Sequence, residues 1–500
     1  MTEKKRFIRD GAMLTAVALL TRSASMLFSA FLARSIGGEG VGLFTLVMTV
    51  YSFAFTLATS GIGLATTRAV AASDKAVGIR SALGYSAIFG GSAGLLLLLL
   101  AHPISHRLIS SPEAAPLLMI LALGLLPVSL TTVLSGYFIG VRRVRANAAA
   151  QIFAQLFRIL LCYLLVERFG GGEVIGSLRL ICLSSLITDL STFALLLLLF
   201  FLDKLRHPSQ REGASMKEIS SVALPLAFSQ YVRSLLLSVE HILIPRRLEH
   251  GGLTAEESLS GYGILHGMAL PTILFPMSPL SSFAGLLVPE FASDQASGRA
   301  SRMSRLTSAA GSATLTYSIA VSVLVSFFSE ELGFAIYGSA EVGLYLRILA
   351  PVIPIMYLDH VCDQILKGIG EQVYSMWVNI ADSFISIALV FFLLPKMGIA
   401  GYALVIILME AFNFLMSLAR LHRRVKIRLS VIHALVLPLA LSVLSCYVSG
   451  RLFRFSGAAA STPWLICKIF FAICLFVFLD RIVRILLCNI NKYKKTPPKI

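Results

Sequence analysis

Charge is scarce in this sequence: Asp, Glu, Lys and Arg make up only 14% of its 500 residues. A long polar-patterned segment is missing as well, so no sizeable water-soluble domain is expected. Acidic residues are the scarcer sign, 26 against 43 Lys and Arg, for a net charge of +17. No GxxxxGK[ST] pattern occurs, which argues against ATP as the direct energy source. The seven cysteines (Cys162, Cys182, Cys362, Cys446, Cys467, Cys474, Cys488) show no CxxC or other metal-ligand spacing. Nearly all sit in apolar blocks, where cysteine acts as a small hydrophobe, so no metal is expected.

Apolar sequence is what the chain has in excess: 57% is hydrophobic and the mean hydropathy is +0.83. The excess falls in blocks of about 20 residues, the length that carries a helix across about 30 Å of hydrocarbon. Fourteen spans are expected, at 11–33, 42–66, 80–101, 115–140, 147–166, 176–202, 219–244, 262–288, 306–328, 342–366, 374–395, 399–419, 430–449 and 463–487. Segment 11–33 is too long for the core of a cleavable signal and reads as the first span. The fold class is therefore all-α, a polytopic membrane bundle.

The basic residues test this count. They are spread along the chain rather than gathered in one domain, which argues against nucleic acid as a partner. With a cytoplasmic N-terminus, the inner loops and tail hold most of the 43 Lys and Arg, in groups such as Lys4–Arg9, Arg142–Arg145, Arg299–Arg305 and Arg420–Arg428. The outer loops hold only Arg34, Arg107, Arg168, Arg246, Arg247, Lys396, Arg451 and Arg454. One missed helix would invert everything downstream of it. The bias instead persists to the tail, which favours an even count with both termini cytoplasmic.

The chain also repeats itself weakly at an offset of about 220–230 residues. GVGLFTLVMTVYSF around Gly42 lies over YGILHGMALPTILF around Gly263, and the turn at Gly140 lies over the turn at Gly370. The expected organisation is an N-terminal lobe of six spans (1–205), a second lobe of six (206–420) and a tail of two spans with a basic end (421–500). Six is even, so the lobes share one orientation and are expected to be related by a pseudo-two-fold axis along the membrane normal.

The segments LARSIGGEGVGLFTL (32–46), ILIPRRL (242–248), SGYGILHGMALPTILFP (260–276), LLVPEFA (286–292) and ILKGIGEQ (365–372) carry a resemblance. In order and spacing they resemble the stage V sporulation protein B group of the multidrug/oligosaccharidyl-lipid/polysaccharide flippase superfamily, along essentially the whole chain. The resemblance implies export of a lipid-linked saccharide across the cytoplasmic membrane, with a peptidoglycan precursor such as lipid II as the leading candidate. It also implies alternating access of the two lobes, in a protein expected to act as a monomer among membrane lipids and to bear on the cell wall and sporulation.

A charge at mid-bilayer costs at least about 2.5–3.5 kcal/mol, so each intramembrane charge asks for a partner or a wet cavity. Arg22 and Arg233 fall at matching places in spans 1 and 7. Guanidinium groups bind phosphate oxygens through paired, charge-assisted hydrogen bonds. The resemblance implies an essential first-span arginine, a position Arg22 occupies, and a cationic cavity for the phosphates joining lipid to sugar. The bland alternative is that each arginine neutralises a nearby carboxylate. His266 is a further candidate for lining the cavity, with a satisfied structural histidine as its alternative. Arg158 and Asp189 lie at similar depth on spans 5 and 6 and read as a structural ion pair.

Asp382, Asn379, Glu410 and Glu240 are candidates for a coupling site taking Na+ or H+; Asn379 and Asp382, three residues apart, share a helix face. Asp359, His360 and Asp363 lie toward the inner half of span 10 as candidates for the inward opening. No other cofactor and no catalytic residue is expected. Two other functions compete: a cation-coupled multidrug and toxin extrusion antiporter, and a membrane-embedded glycosyl ligase or polymerase. Paired arginines favour an anionic substrate over the first. Short outer loops without an acid/base set argue against the second.

Overall fold

A computed structural model describes residues 3–71, 79–141, 143–171, 173–206, 216–427, 432–454 and 462–495, without side chains at 3–21, 144, 225, 226, 229, 454, 462, 484 and 486–495. Part of the basic linker after span 6, Arg142, Lys75, Arg428 and the lysines of the tail therefore lie outside the described side chains.

The described residues form helices and turns, with no strand among them. In chain order these are α1 Glu3–Thr59, α2 Ile62–Ala71, α3 Arg80–Ile104, α4 Ala114–Gly140, α5 Val144–Phe169, α6 Val174–Arg206, α7 Met216–His250 and α8 Ala255–Tyr262. A π turn, Gly263–Ala269, leads to α9 Leu270–Leu274, α10 Met277–Ala296, α11 Ala300–Phe327 and α12 Ser329–Tyr337. There follow α13 Ala340–Leu349, α14 Ile353–Gly368, α15 Gln372–Arg424, α16 Leu437–Arg454 and α17 Thr462–Lys495.

At 1.5 Å per residue, α1 and α15 run for roughly 80 Å, far more than one crossing of about 30 Å. Each is broken where a glycine takes a positive φ, Gly37 (φ 67°) and Gly398 (φ 58°), a conformation L side chains rarely adopt. These breaks fall in the expected outer turns between spans 1 and 2 and spans 11 and 12. By length and hydropathy, nine described helical segments are fit to cross a membrane, and the bent pair Ala255–Leu274 and Met277–Ala296 makes a tenth. Two of the nine, Arg22–Val70 and Gln372–Arg424, hold two crossings each. With α7 (35 residues) and α17 (34 residues), the map is the fourteen-span bundle read from the hydropathy blocks.

Three details differ from smooth spans. Span 2 is split between α1 and α2. Span 8 bends by 60° near Pro276, where the ring removes a helix hydrogen bond. Span 10 comprises α13 and α14, joined by a 3-10 turn at Ala350–Val352 that contains Pro351.

The chain packs as two compact units, residues 1–267 with 383–402, and residues 268–382 with 403–500. In the first, α4 packs on α3 and α6 around Ile62, Val133, Leu134, Tyr137 and Phe138. Ser86 and Ser129 hydrogen-bond inside it at 2.5 Å. In the second, α14 packs on α10 and α11, and Phe328, Cys446, Leu465 and Ala472 tie α16 and α17 together.

Each unit closes the turn after its fourth or tenth span with an ion pair, and the signs are reversed between the two. In the first unit Arg143 pairs with buried Asp203, which also accepts from Tyr137 Oη at 2.8 Å. In the second, Glu371 accepts from Arg420 at 2.7 Å and pairs with Arg424 at 2.6 Å. The Arg420 hydrogen bonds, helped by the charges of Arg420 and Arg424, hold the Glu371 carboxyl below the usual carboxylate range. A depressed folded-state value stabilises the fold above the unfolded carboxyl's pKa, and the contribution is lost as pH falls through the folded value. Thermal unfolding in detergent should therefore show a drop in melting temperature below about pH 4.3. Glu371→Gln should be less stable at neutral pH and lose that part of the drop; an unchanged acid limb in the variant would exclude this source.

Candidate functional site

Apolar helices in lipid gain little from burying one another, so close backbone packing and hydrogen bonds hold them together. The seam that α7 and α8 form with span 2 uses both. Ser60 Oγ donates to Gln230 at 3.0 Å, Tyr231 Oη to the Leu57 carbonyl at 3.2 Å and Ser234 Oγ to Thr56 at 3.2 Å. Ser238 Oγ lies 3.4 Å from the Thr49 carbonyl. Toward the outer end the seam becomes a glycine crossing. A β-carbon on Gly263 would sit 2.5 Å from the Gly42 nitrogen, one on Gly42 would collide with the Leu259 carbonyl, and one on Gly38 would sit 2.6 Å from Ser260 Oγ. Gly42 and Gly263, the paired anchors of the internal repeat, are thus in backbone contact.

His266 stands in the π turn beside this crossing. Its ring centroid is 4.3 Å from that of His241, and it stacks on Tyr262 at 5.4 Å with 4° between planes. His266 Nδ1 is 3.2 Å from Tyr402 Oη. Glu240, next to His241, accepts from Ser386 Oγ at 2.5 Å. Glu240 is also in electrostatic reach of Tyr262 and Tyr402, the two tyrosines that meet His266, all in the first unit.

A second polar strip in the same unit starts at Arg22. Ser25, one turn on, accepts from Gln155 Nε2 at 3.1 Å. Gln155 is one turn before Arg158, which donates to Asp189 at 3.1 Å. Tyr51 is close enough for electrostatic interaction with both members of that pair. Arg22 and Arg233 are both exposed, and among the described residues neither pairs with a carboxylate. Arg233 lies on α7 one residue before Ser234 of the seam.

The second unit gathers three polar helix faces. Asp382 accepts from Asn413 Nδ2 at 3.0 Å, and Asn379 donates to the Ser375 carbonyl at 2.7 Å. Glu410 is in electrostatic reach of Asp359 and Asp382, and Asp359 hydrogen-bonds Ser417. Glu410, Asn413 and Ser417 recur at helical spacing on one face, as do Ser375, Asn379 and Asp382. Asp363 pairs with Lys367 at 2.5 Å. Among the described residues no group of three or more His, Cys, Asp or Glu has the geometry of a metal site.

Sequence reasoning missed Gln155, Ser25, Tyr51, Tyr262, Tyr402, Asn413 and Ser417. The spacing of Gln155 to Arg158, and of Glu410, Asn413 and Ser417, was an available signal. For Tyr51 and Tyr402 no local signal exists, because their partners lie far away in sequence.

An all-α bundle whose intramembrane charges are gathered into polar strips defines a multi-pass membrane transporter. The chain belongs to the polysaccharide biosynthesis protein family, whose sequence model matches residues 7–295. The MatE family model also matches, at residues 250–392. Stage V sporulation protein B of Bacillus subtilis (strain 168) is 23% identical over 479 residues, covering 92% of this chain and 91% of that protein. Sporulation protein YkvU of the same organism is 20% identical, covering 78% and 88%. Among solved structures, the lipid II flippase MurJ in an inward closed conformation superposes with a TM-score of 0.70 at 13% identity, covering 95% of this chain and 99% of that one. A multidrug resistance MATE transporter in an inward-facing conformation gives 0.64 at 16% identity, covering 82% and 98%. These likenesses establish the fold.

Proposed function

We propose that the protein is a flippase that exports a lipid-linked saccharide across the cytoplasmic membrane, with both termini on the cytoplasmic side. The observation that carries this reading is the pair of arginines within apolar spans, Arg22 and Arg233, that pair with no carboxylate among the described residues. An unpaired guanidinium in a bundle is costly unless it meets water or an anion. A polyprenyl phosphate or diphosphate headgroup supplies that anion at the lipid–sugar junction. Membership of the polysaccharide biosynthesis family and the fold shared with a lipid II flippase support the same substrate class. The sporulation proteins among the relatives point to saccharide export for the spore envelope. The division into lobes at 1–205 and 206–420 and their alternating access belong to this reading, as does action as a monomer.

The test is complementation of a cell depleted of its lipid II flippase, with headgroup accessibility measured from outside. Restored growth with labelled headgroup outside is expected. Failure of both, with the protein inserted at normal levels, would contradict lipid II as cargo.

The MatE match at 250–392 favours a second reading, a cation-coupled drug antiporter. Its cargo is cationic, which arginines without a carboxylate partner among the described residues oppose. The two readings share ion coupling, for which the cluster around Asp382, Asn379 and Glu410 is the candidate in the second unit. Asp382→Asn should slow transport roughly tenfold or more while leaving insertion intact. Indifference to this change and to collapse of both the sodium and the proton gradients would remove coupling from the account.

A further inference from the structure

The imidazole pair beside the glycine crossing is not called on by the phosphate-binding role proposed for Arg22 and Arg233. Its placement is unusual in three respects. Two histidines from different spans sit with ring centroids 4.3 Å apart. His241 Nδ1 is buried and has no hydrogen-bond partner among the described residues. His266 lies in a π turn between two glycines of the crossing, Gly263 and Gly267; a β-carbon on Gly267 would meet the Thr45 hydroxyl at 3.1 Å. Such π turns are rare and recur at functional sites. A buried polar nitrogen without a partner is costly, and a proton is the smallest ligand that changes its state.

We propose that His241 and His266 form a proton-binding site that controls the glycine crossing between span 2 and span 8. This builds on the transporter reading but not on the identity of the cargo. With both imidazoles neutral, the rings pack against Tyr262 and let Gly42 and Gly263 touch. An added proton places a cation against a second imidazole in a tightly packed space, where a charge favours water over close packing. The crossing then loosens at its outer end. The titratable groups against the pair are Tyr262 from α8 and Tyr402 from α15, with Glu240 of α7 in electrostatic reach of both tyrosines. Glu240 already accepts a hydrogen bond from Ser386, which leaves the imidazoles as the groups to change state.

The test reads the crossing directly. Spin labels are placed at Glu39→Cys on α1 and Glu256→Cys on α8, both exposed positions, in full-length protein lacking its native cysteines, held in lipid nanodiscs. Distances are measured by double electron–electron resonance between about pH 8 and about pH 4.5, bracketing the ordinary histidine range. A short distance at high pH and a longer population growing at low pH are expected. His266→Gln and, independently, His241→Gln should each make the distribution pH-independent. Each variant is first checked for monodisperse elution. A pH-invariant distance in the parent would overturn the proposal, as would a response retained in both histidine variants. Loss of the response in Glu240→Gln alone would assign the proton to the carboxylate and overturn it as well. Since no cargo is involved, failure here leaves the flippase reading standing.

Discussion

Arg22→Ala should abolish transport while the protein inserts and purifies as the parent does. The change removes a guanidinium for which no carboxylate competes among the described residues, so the anion loses its partner and little else is disturbed. A charge-assisted hydrogen bond to phosphate contributes more than a neutral one, and a bidentate pair adds geometry. Loss of one to two charge-assisted hydrogen bonds of about 1.5–3 kcal/mol each, about 1.5–6 kcal/mol in all, corresponds to a fall in rate of about tenfold to on the order of ten-thousand-fold. Arg22→Lys keeps the charge without the fork and should retain a measurable fraction. The check is headgroup translocation at matched protein density. Had Arg22 been a structural counter-ion, alanine would lower stability and expression first. Because Ser25 is held by Gln155, the thermal transition of Arg22→Ala should lie within a few degrees of the parent.

The second large effect is expected at the glycine crossing. Gly42→Val should disrupt contact between span 2 and α8, because any β-carbon there collides with the Leu259 carbonyl, a backbone group that cannot rotate away. Overpacking of this kind costs about 1–3 kcal/mol, and the cost falls on the closed arrangement of the seam. A bundle that shuttles between two arrangements is then driven away from the closed one. Transport should fall about tenfold or more, and a disulfide engineered between Gly38→Cys and Ser260→Cys, expected to form while Gly42 is intact, should be lost when Gly42 is Val. Gly84→Ala provides the contrast. Beyond its own stretch of helix, no atom of the described residues lies within 4 Å of a β-carbon at Gly84, so transport should be unchanged and the α3 helix slightly favoured. Equal behaviour of Gly42→Val and Gly84→Ala would show that the crossing has no mechanical role.

The crossings were legible because a 30 Å slab permits few solutions: every apolar block of about 20 residues must be a helix, and the basic residues mark its inner ends. The breaks at Gly37 and Gly398 fall in the gaps that the span bounds leave between spans 1 and 2 and between spans 11 and 12. The ion pair of Arg158 with Asp189 followed from depth alone. What could not be read was pairing between distant segments. Ser60, Thr56 and Ser234 look like ordinary small residues of membrane helices, each able to satisfy its hydroxyl on its own backbone, and only tertiary contact turns them into a seam. Glu240 was grouped by charge with Asp382, Asn379 and Glu410. In the structure it accepts from Ser386 and lies in electrostatic reach of Tyr262 and Tyr402 in the first unit, whereas the other three belong to the second. The reversed ion pairs, Arg143 with Asp203 and Glu371 with Arg420, hide the equivalence of these two closures from a comparison of residue types.

The central claim is that the guanidinium groups of spans 1 and 7 serve an anionic, lipid-linked cargo. The most direct measurement reconstitutes the purified protein in vesicles and follows two cargoes side by side, a polyprenyl diphosphate saccharide and a lipophilic cationic drug. Translocation of the diphosphate lipid, lost in Arg22→Ala, with no movement of the drug, is predicted. Movement of the drug at a rate indifferent to Arg22, with the saccharide lipid left where it was loaded, would contradict the account.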